Sequence, residues 1–567
     1  MFVEASVLKD KSVVTSSRPV KDSNLKTGTE TRLKEIDSTE VRNSILRLVV
    51  GCAAVLVFCG FSSGQTCAPP VPSKIVSFPA GTVIEGVGTS DLPVTTKSEK
   101  CRTLTKQGFA LIHCFWFNEA VRSFRDATKE DPECAIAWCG LAVSETLPWN
   151  RDSDFGVESR FAMKRSIALY DTASDIEKAV IAAFRTKDLA SDDLKGPFAD
   201  AMNRIAKEYP DVFEPRLLMA AIRTQVCMFD RTLPNGEVQN ELVEVAKLIA
   251  PVLLKDPKNP AANHYQIHAY EGSTPEKALP SARILGQVAP ASAHMVHMPG
   301  HLYNVLGMWD DADKSFGDAN RIGEDYAKQI GASPAEADWN YSHNRDYWGV
   351  SLGEEGRIRE AFELVNFSGR RNQILWRVSD WPALLKAVEK AGNSSDSAFY
   401  RGIASAHLGD LKAAKAELKR LREAQGKSVG NPYALIGKTR RLELDGVIKC
   451  LSNDFETGLP LLRQAVQTFS KIEYEEPPYY MRPPHETLAD MLRRNKKFAE
   501  ALQVLESGLK VKRNAGTIFY LVARVHEDAG AKEKAKLAFE RFLLVWSKAD
   551  SDRPQVRYAK GALAKGD

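Results

Sequence analysis

The 567-residue chain is expected to be all-α, an α-solenoid in which antiparallel helix pairs stack one on the next. Three observations predict this. From about residue 100 to 547 nearly every window is helix-forming, and small residues recur in a set frame: Gly or Ala, twelve on Ala, four on Phe or Leu, three on Ala. Hydrophobic residues make up 44% and charged residues 26%, which allows a large core and excludes disordered, collagenous and small disulfide-bonded classes. Lys plus Arg number 77 against 73 Asp plus Glu, so the basic excess of a phosphate-binding surface is missing and nucleic acid is not expected as a partner.

Residues 1–44 are polar and are expected to be disordered. Leu48 to Phe61 is an uninterrupted apolar run preceded by Arg42 and Arg47 and followed by Ser62, Ser63 and Gly64. Basic flank, apolar stretch and small residues match a secretory signal, so residues 45–64 are expected to be a signal peptide or, if uncleaved, an anchor that holds the membrane through residues 45–61. The run is shorter than the roughly 20 residues of a full span. The expected location is therefore exported or membrane-anchored, on the extracytoplasmic or periplasmic side. Residues 65–99, rich in Pro, Thr, Gly and Val, are expected to be an extended tether with one short strand near Ile75 to Phe78. An irregular array over 100–390, a more regular one over 391–547 and a polar tail over 548–567 complete the division. The nine cysteines form no CxxC pair and are expected to be small buried hydrophobes.

The frame is first complete at Gly108, Ala120, Phe124, Ala127 and Pro132, with Trp138 and Leu141 in the following unit. It returns with Gly300, Ala312, Phe316 and Ala319; with Gly349 and Ala361; with Gly402 and Ala414; and with Gly446, Gly458, Leu462 and Ala465. Ala278 to Ala312 and Ala501 to Ala535 are each spaced by 34 residues. Two helices approach closely only where the facing residue is Gly or Ala, so this spacing is a packing code. These residues resemble the tetratricopeptide repeat, whose unit carries small residues at positions 8, 20 and 27 and a large apolar residue at 24. The resemblance implies a superhelix with helix A of each pair on a concave face, positions 2, 5, 9, 12 and 13 turned to the groove, and a protein or peptide segment as the usual partner. Under it, Tyr520, Arg524 and Glu527 occupy positions 5, 9 and 12 of a C-terminal peptide groove.

The search for catalytic motifs is mostly negative, and no catalytic residue is assigned. Gly60 to Gly64 satisfies GxSxG but lies in the export segment, without the strand and helix of a nucleophile elbow. His485-Glu486 starts like a zinc-protease helix and lacks the second His. Glu475 to Pro484, with four prolines, reads as a stiff extended insert between repeats.

Histidine is more informative, because six of the ten fall between His264 and His343. His264, His268 and Glu271 stand at i, i+4 and i+7 and share one helical face. In the repeat frame His294, His297 and His301 occupy positions 2, 5 and 9 and His343 again position 2, so these histidines are expected on the groove rather than in the core, either hydrogen-bonding a ligand without metal or holding a metal ion. The block also looks like that of long bacterial tetratricopeptide-containing proteins with paired NHYxxH and HMPxH segments, a likeness that implies no chemistry.

Two functions follow. One is a scaffold that holds a peptide or protein segment; the other is a metal-binding protein or metal-dependent hydrolase that uses the His cluster, with His264, His268, His297 and His301 as candidate ligands. Imidazoles suit Zn or Cu, and Met295 and Met298 nearby favour copper. Glu271 would serve as ligand, orienting partner or general base. Pro299 bears on this choice: if a helix starts at Met298, His294 and His297 lie ahead of it and share no face with His301.

Overall fold

The structure, a computed structural model, describes residues 77–146, 155–186, 196–227, 240–392, 394–425, 434–472 and 474–565, all within the unit that runs from Gly64 to Asp567. The polar 1–44 segment, the apolar 45–64 segment and Ile75 and Val76 of the expected strand lie outside these residues. The described residues contain helices and no strand, and none of these helices is long and apolar enough to cross a membrane.

The helices pair in sequence order. Glu99–His113 packs on Phe117–Glu130, Ala135–Thr146 on Phe155–Ala168, Ala293–Leu306 on Trp309–Ile330, Ser395–His407 on Leu411–Gln425, Ala434–Leu451 on Phe455–Phe469, and Gly516–Asp528 on Lys532–Val545. The register expected from sequence is visible as contacts. A Cβ on Gly108 would stand 2.6 Å from the Phe124 ring, one on Gly300 2.6 Å from Phe316, one on Gly349 2.3 Å from Val365 and one on Gly446 2.6 Å from Leu462. Each small residue at position 8 thus admits the large residue sixteen positions later. Gly402 departs from the rule, since a Cβ there would meet Leu444 of the next pair at 2.6 Å. Ala278, Ala312, Ala501 and Ala535 are buried, and the six described cysteines are buried free thiols.

Two expectations about the ends change. Residues 77–98 do not hang free as a tether: Val87, Leu92 and Val94 are buried, and backbone amides of Phe78, Gly81 and Thr95 donate to Glu119 (2.7 Å), Asp126 (2.7 Å) and Glu177 (2.8 Å) of the first helices. Residues 548–567, expected as a polar tail, carry the helix Pro554–Ala564, which buries Val556 and Ala559. Both segments have just enough apolar residues to be held by larger surfaces, which composition alone does not display.

The C-terminal pairs also touch the middle of the chain. Gly307 ends its helix with φ at 69°, and a Cβ there would lie 2.3 Å from the Arg513 carbonyl oxygen; Trp309 Nε1 donates to the Asn514 carbonyl at 3.0 Å. Arg377, fully buried, donates to Glu354 at 2.9 Å and to Glu486 at 2.6 Å, so the HE pair of the false zinc motif serves packing.

Candidate metal centre

Three successive A helices carry the six histidines. Pro260–Tyr270 starts at Asn259, whose side chain accepts from the Ala262 amide, with Pro260 preset for the first turn. Ala293–Leu306 starts at Ser292, which accepts from the Met295 amide, and continues through Pro299 to Gly307. The helix therefore begins five residues before Met298, and His294, His297 and His301 belong to one helix after all. Trp339–Glu354 starts at Asp338, whose side chain accepts from the Asn340 amide.

All six rings are buried, at 0 to 4% exposure, and Glu271 with them. The expectation of an open groove is corrected here: these A helices are covered, so positions 2, 5 and 9 point into an enclosed polar chamber. The rings fall into two trios. In the first, His264 Nε2 lies 3.0 Å from His268 Nε2 and 3.1 Å from His294 Nε2. In the second, His301 Nε2 lies 2.6 Å from His297 Nε2 and 3.4 Å from His343 Nε2. Each trio combines an i, i+4 pair on one helix with a single His from the next. The nearest rings of the two trios, His294 and His297, have centroids 6.1 Å apart.

The outer nitrogens of five rings face oxygen. His264 Nδ1 donates to the His113 carbonyl at 2.7 Å, His268 Nδ1 to Glu271 at 2.9 Å, and His301 Nδ1 to Glu271 at 3.2 Å and to Glu476 at 3.3 Å. His297 Nδ1 donates to Asn344 Oδ1 at 2.8 Å, an orientation held by Asn344 Nδ2 donating to the Phe316 carbonyl at 2.9 Å. His294 Nδ1 stands 3.4 Å from Asn340 Oδ1. A neutral imidazole with its proton on Nδ1 has only a lone pair on Nε2. His264 thus points a lone pair at His268 Nε2 across 3.0 Å.

Electrostatics agree with neutral rings in most places. Burial, reinforced by neighbouring histidines, holds His264 and His297 well below the usual imidazole range, burial does the same for His343, and it pushes His294 down to about 3. His301 differs: burial pulls it down, but Glu476 and Glu271 carry it up to about 9. Aromatic rings close the trios. Phe115 lies 4.7, 5.8 and 5.2 Å from His264, His268 and His294, while Tyr347 lies 4.5 Å from His301 and Phe316 5.2 Å from His297.

Each trio, and a third group of Glu271, His301 and Glu476, brings its donor atoms within 4.8 Å of one another. Asn340 and Asn344 flank His343 at i−3 and i+1 and could have been read from sequence as partners. Glu476 could not, because the proline-rich insert brings it from far along the chain. The C-terminal residues form a different place: Tyr520 and Arg524 line a cavity of about 190 Å³ with Trp381, His407, Arg482 and Arg493. Glu527 is not on its wall; it accepts from Arg524 Nε at 2.9 Å and from the Tyr558 hydroxyl at 2.7 Å.

No protein-family model and no curated protein matches the chain. Among solved structures, the Cut9–Hcn1 hetero-tetramer of the APC/C is similar at 14% identity over 85% of this chain and 78% of that one, with a TM-score of 0.29. Yeast Tom70 is similar at 14% identity over 83% and 97%, with a TM-score of 0.29. A tetratricopeptide repeat protein from Parabacteroides merdae is similar at 14% identity over 62% and 98%, with a TM-score of 0.24. Within the chain itself, Gly108, Gly300, Gly349 and Gly446 each meet a large residue sixteen positions on. By that packing the chain is an all-α array of repeated antiparallel helix pairs.

Proposed function

We propose that the protein binds transition-metal ions, Zn or Cu, in the buried His chamber of its repeat array. The observation that carries this is the convergence of three Nε2 atoms in the first trio, His264 standing 3.0 Å from His268 and 3.1 Å from His294. Three nitrogens at about 2.0–2.1 Å from one ion stand about 3.0–3.4 Å apart, and the first trio has 3.0 and 3.1 Å. Oxygen partners on the outer nitrogens are the arrangement that sets the tautomer of ligating histidines and raises their basicity. Metal analysis of purified protein tests the reading: wild type should hold stoichiometric Zn or Cu that a His264→Ala, His268→Ala, His297→Ala, His301→Ala variant loses. Equal, substoichiometric metal in both would refute it. The apolar segment 48–61 supports an extracytoplasmic site for this activity, checked by fractionation and the mature N-terminus.

A second reading, a scaffold for a peptide segment, is favoured by the C-terminal cavity. Its wall sets Arg482, Arg493 and Arg494 against Glu486 and Asp490 beside aromatic rings, and suits a polar or aromatic side chain. A pull-down that recovers a protein on wild type and loses it on Arg524→Ala would support this role, whereas identical recoveries would end it.

A further inference from the structure

The centre has a symmetry that a single metal ion does not use. Both trios repeat one design, an i, i+4 pair plus one His from the following A helix, and in both the paired histidines have oxygen partners on Nδ1, behind their Nε2 atoms. Glu271 joins them, since one of its oxygens accepts from His268 of the first trio and the other from His301 of the second. Trp339 lies against one ring of each, 5.4 Å from His294 and 6.5 Å from His343. Among the described residues, the groupings that form the two trios consist of histidine alone.

We infer that the two trios hold a pair of copper ions that bind dioxygen between them as peroxide. This deepens the metal reading and rests on it. Three-nitrogen sites with aromatic walls accommodate monovalent copper, which accepts three-coordination and carries little charge into a buried place. Two Cu(I) ions bring two positive charges, matched by the carboxylates of Glu271 and Glu476 on the outer nitrogens. Dioxygen then takes one electron from each ion, giving two Cu(II) and one peroxide dianion. The O–O bond order falls from two to one, two copper–oxygen contacts form, no proton moves, and the net charge of the chamber is unchanged. The neutral, apolar diatomic is also the kind of ligand that an aromatic enclosure admits. His294 of the first trio and His297 of the second stand on one helix with ring centroids 6.1 Å apart, so the two sites are neighbours.

The test uses the full chain loaded with Cu(I) under anaerobic conditions and then exposed to dioxygen. Two copper ions per chain, an intense near-ultraviolet charge-transfer band, loss of that band under vacuum and silence in electron paramagnetic resonance are expected. His343→Ala should retain one copper and lose the band. One copper per wild-type chain, or two that give the full signal of isolated Cu(II) with no band, would overturn the pair while leaving metal binding intact. Failure to retain copper or zinc at all would overturn both.

Discussion

At the scale of single residues, the chamber depends on which nitrogen carries a proton, and that is decided by what stands behind each ring. The His113 carbonyl can only accept, so His264 must donate from Nδ1 and offer a lone pair at Nε2. Asn344 reaches the same result for His297 because the Phe316 carbonyl fixes its amide. Phe316 is also the residue that the repeat places opposite Gly300, so packing and site share one ring. Gly300→Ala should therefore do two things. A methyl group 2.6 Å from a fully buried ring must displace it, costing about 1–3 kcal/mol in a denaturant melt, and the displaced ring should disturb His297, measured as weaker metal retention. A melt unchanged from wild type would show that Phe316 has room to turn.

At the scale of elements, helix pairs were legible from sequence because close crossings demand small residues at fixed spacing, which leaves a periodic trace. Ala501 and Ala535 lie at equivalent crossings 34 residues apart, both buried. Ala501→Leu and Ala535→Leu should each overpack a crossing and lower stability by about 1–3 kcal/mol, read as a shift in thermal midpoint. Silence in both would mean that the C-terminal register is misplaced. Segments without periodicity were less legible. The 77–98 stretch has no pattern of its own because its partners are single backbone amides meeting Glu119, Asp126 and Glu177. The proline-rich insert reads in sequence as a stiff connector, yet its Glu476 reaches His301.

At the scale of the whole molecule, the chamber lies where the middle repeats are held from two sides, by Phe115 and the His113 carbonyl from the first pair and by Glu476 from between the last pairs. An ion bound there would fasten segments from across the chain. Binding confined to the folded state adds stability by mass action, about 4 kcal/mol at a thousand times the dissociation constant. Chelation should accordingly lower the thermal midpoint of the wild type and leave that of the four-histidine variant unmoved; equal shifts in both would dissociate the stabilising ion from the histidines. Sequence by itself determined the all-α class, the repeat register and the choice of the six histidines with Glu271, since each is written in spacing along one helix. Only the tertiary structure decided that the histidines are enclosed, that they divide three and three, and that Glu476 and the His113 carbonyl complete them. Those facts depend on contacts between residues far apart in the chain, and distance in sequence carries no record of who meets whom once helices stack.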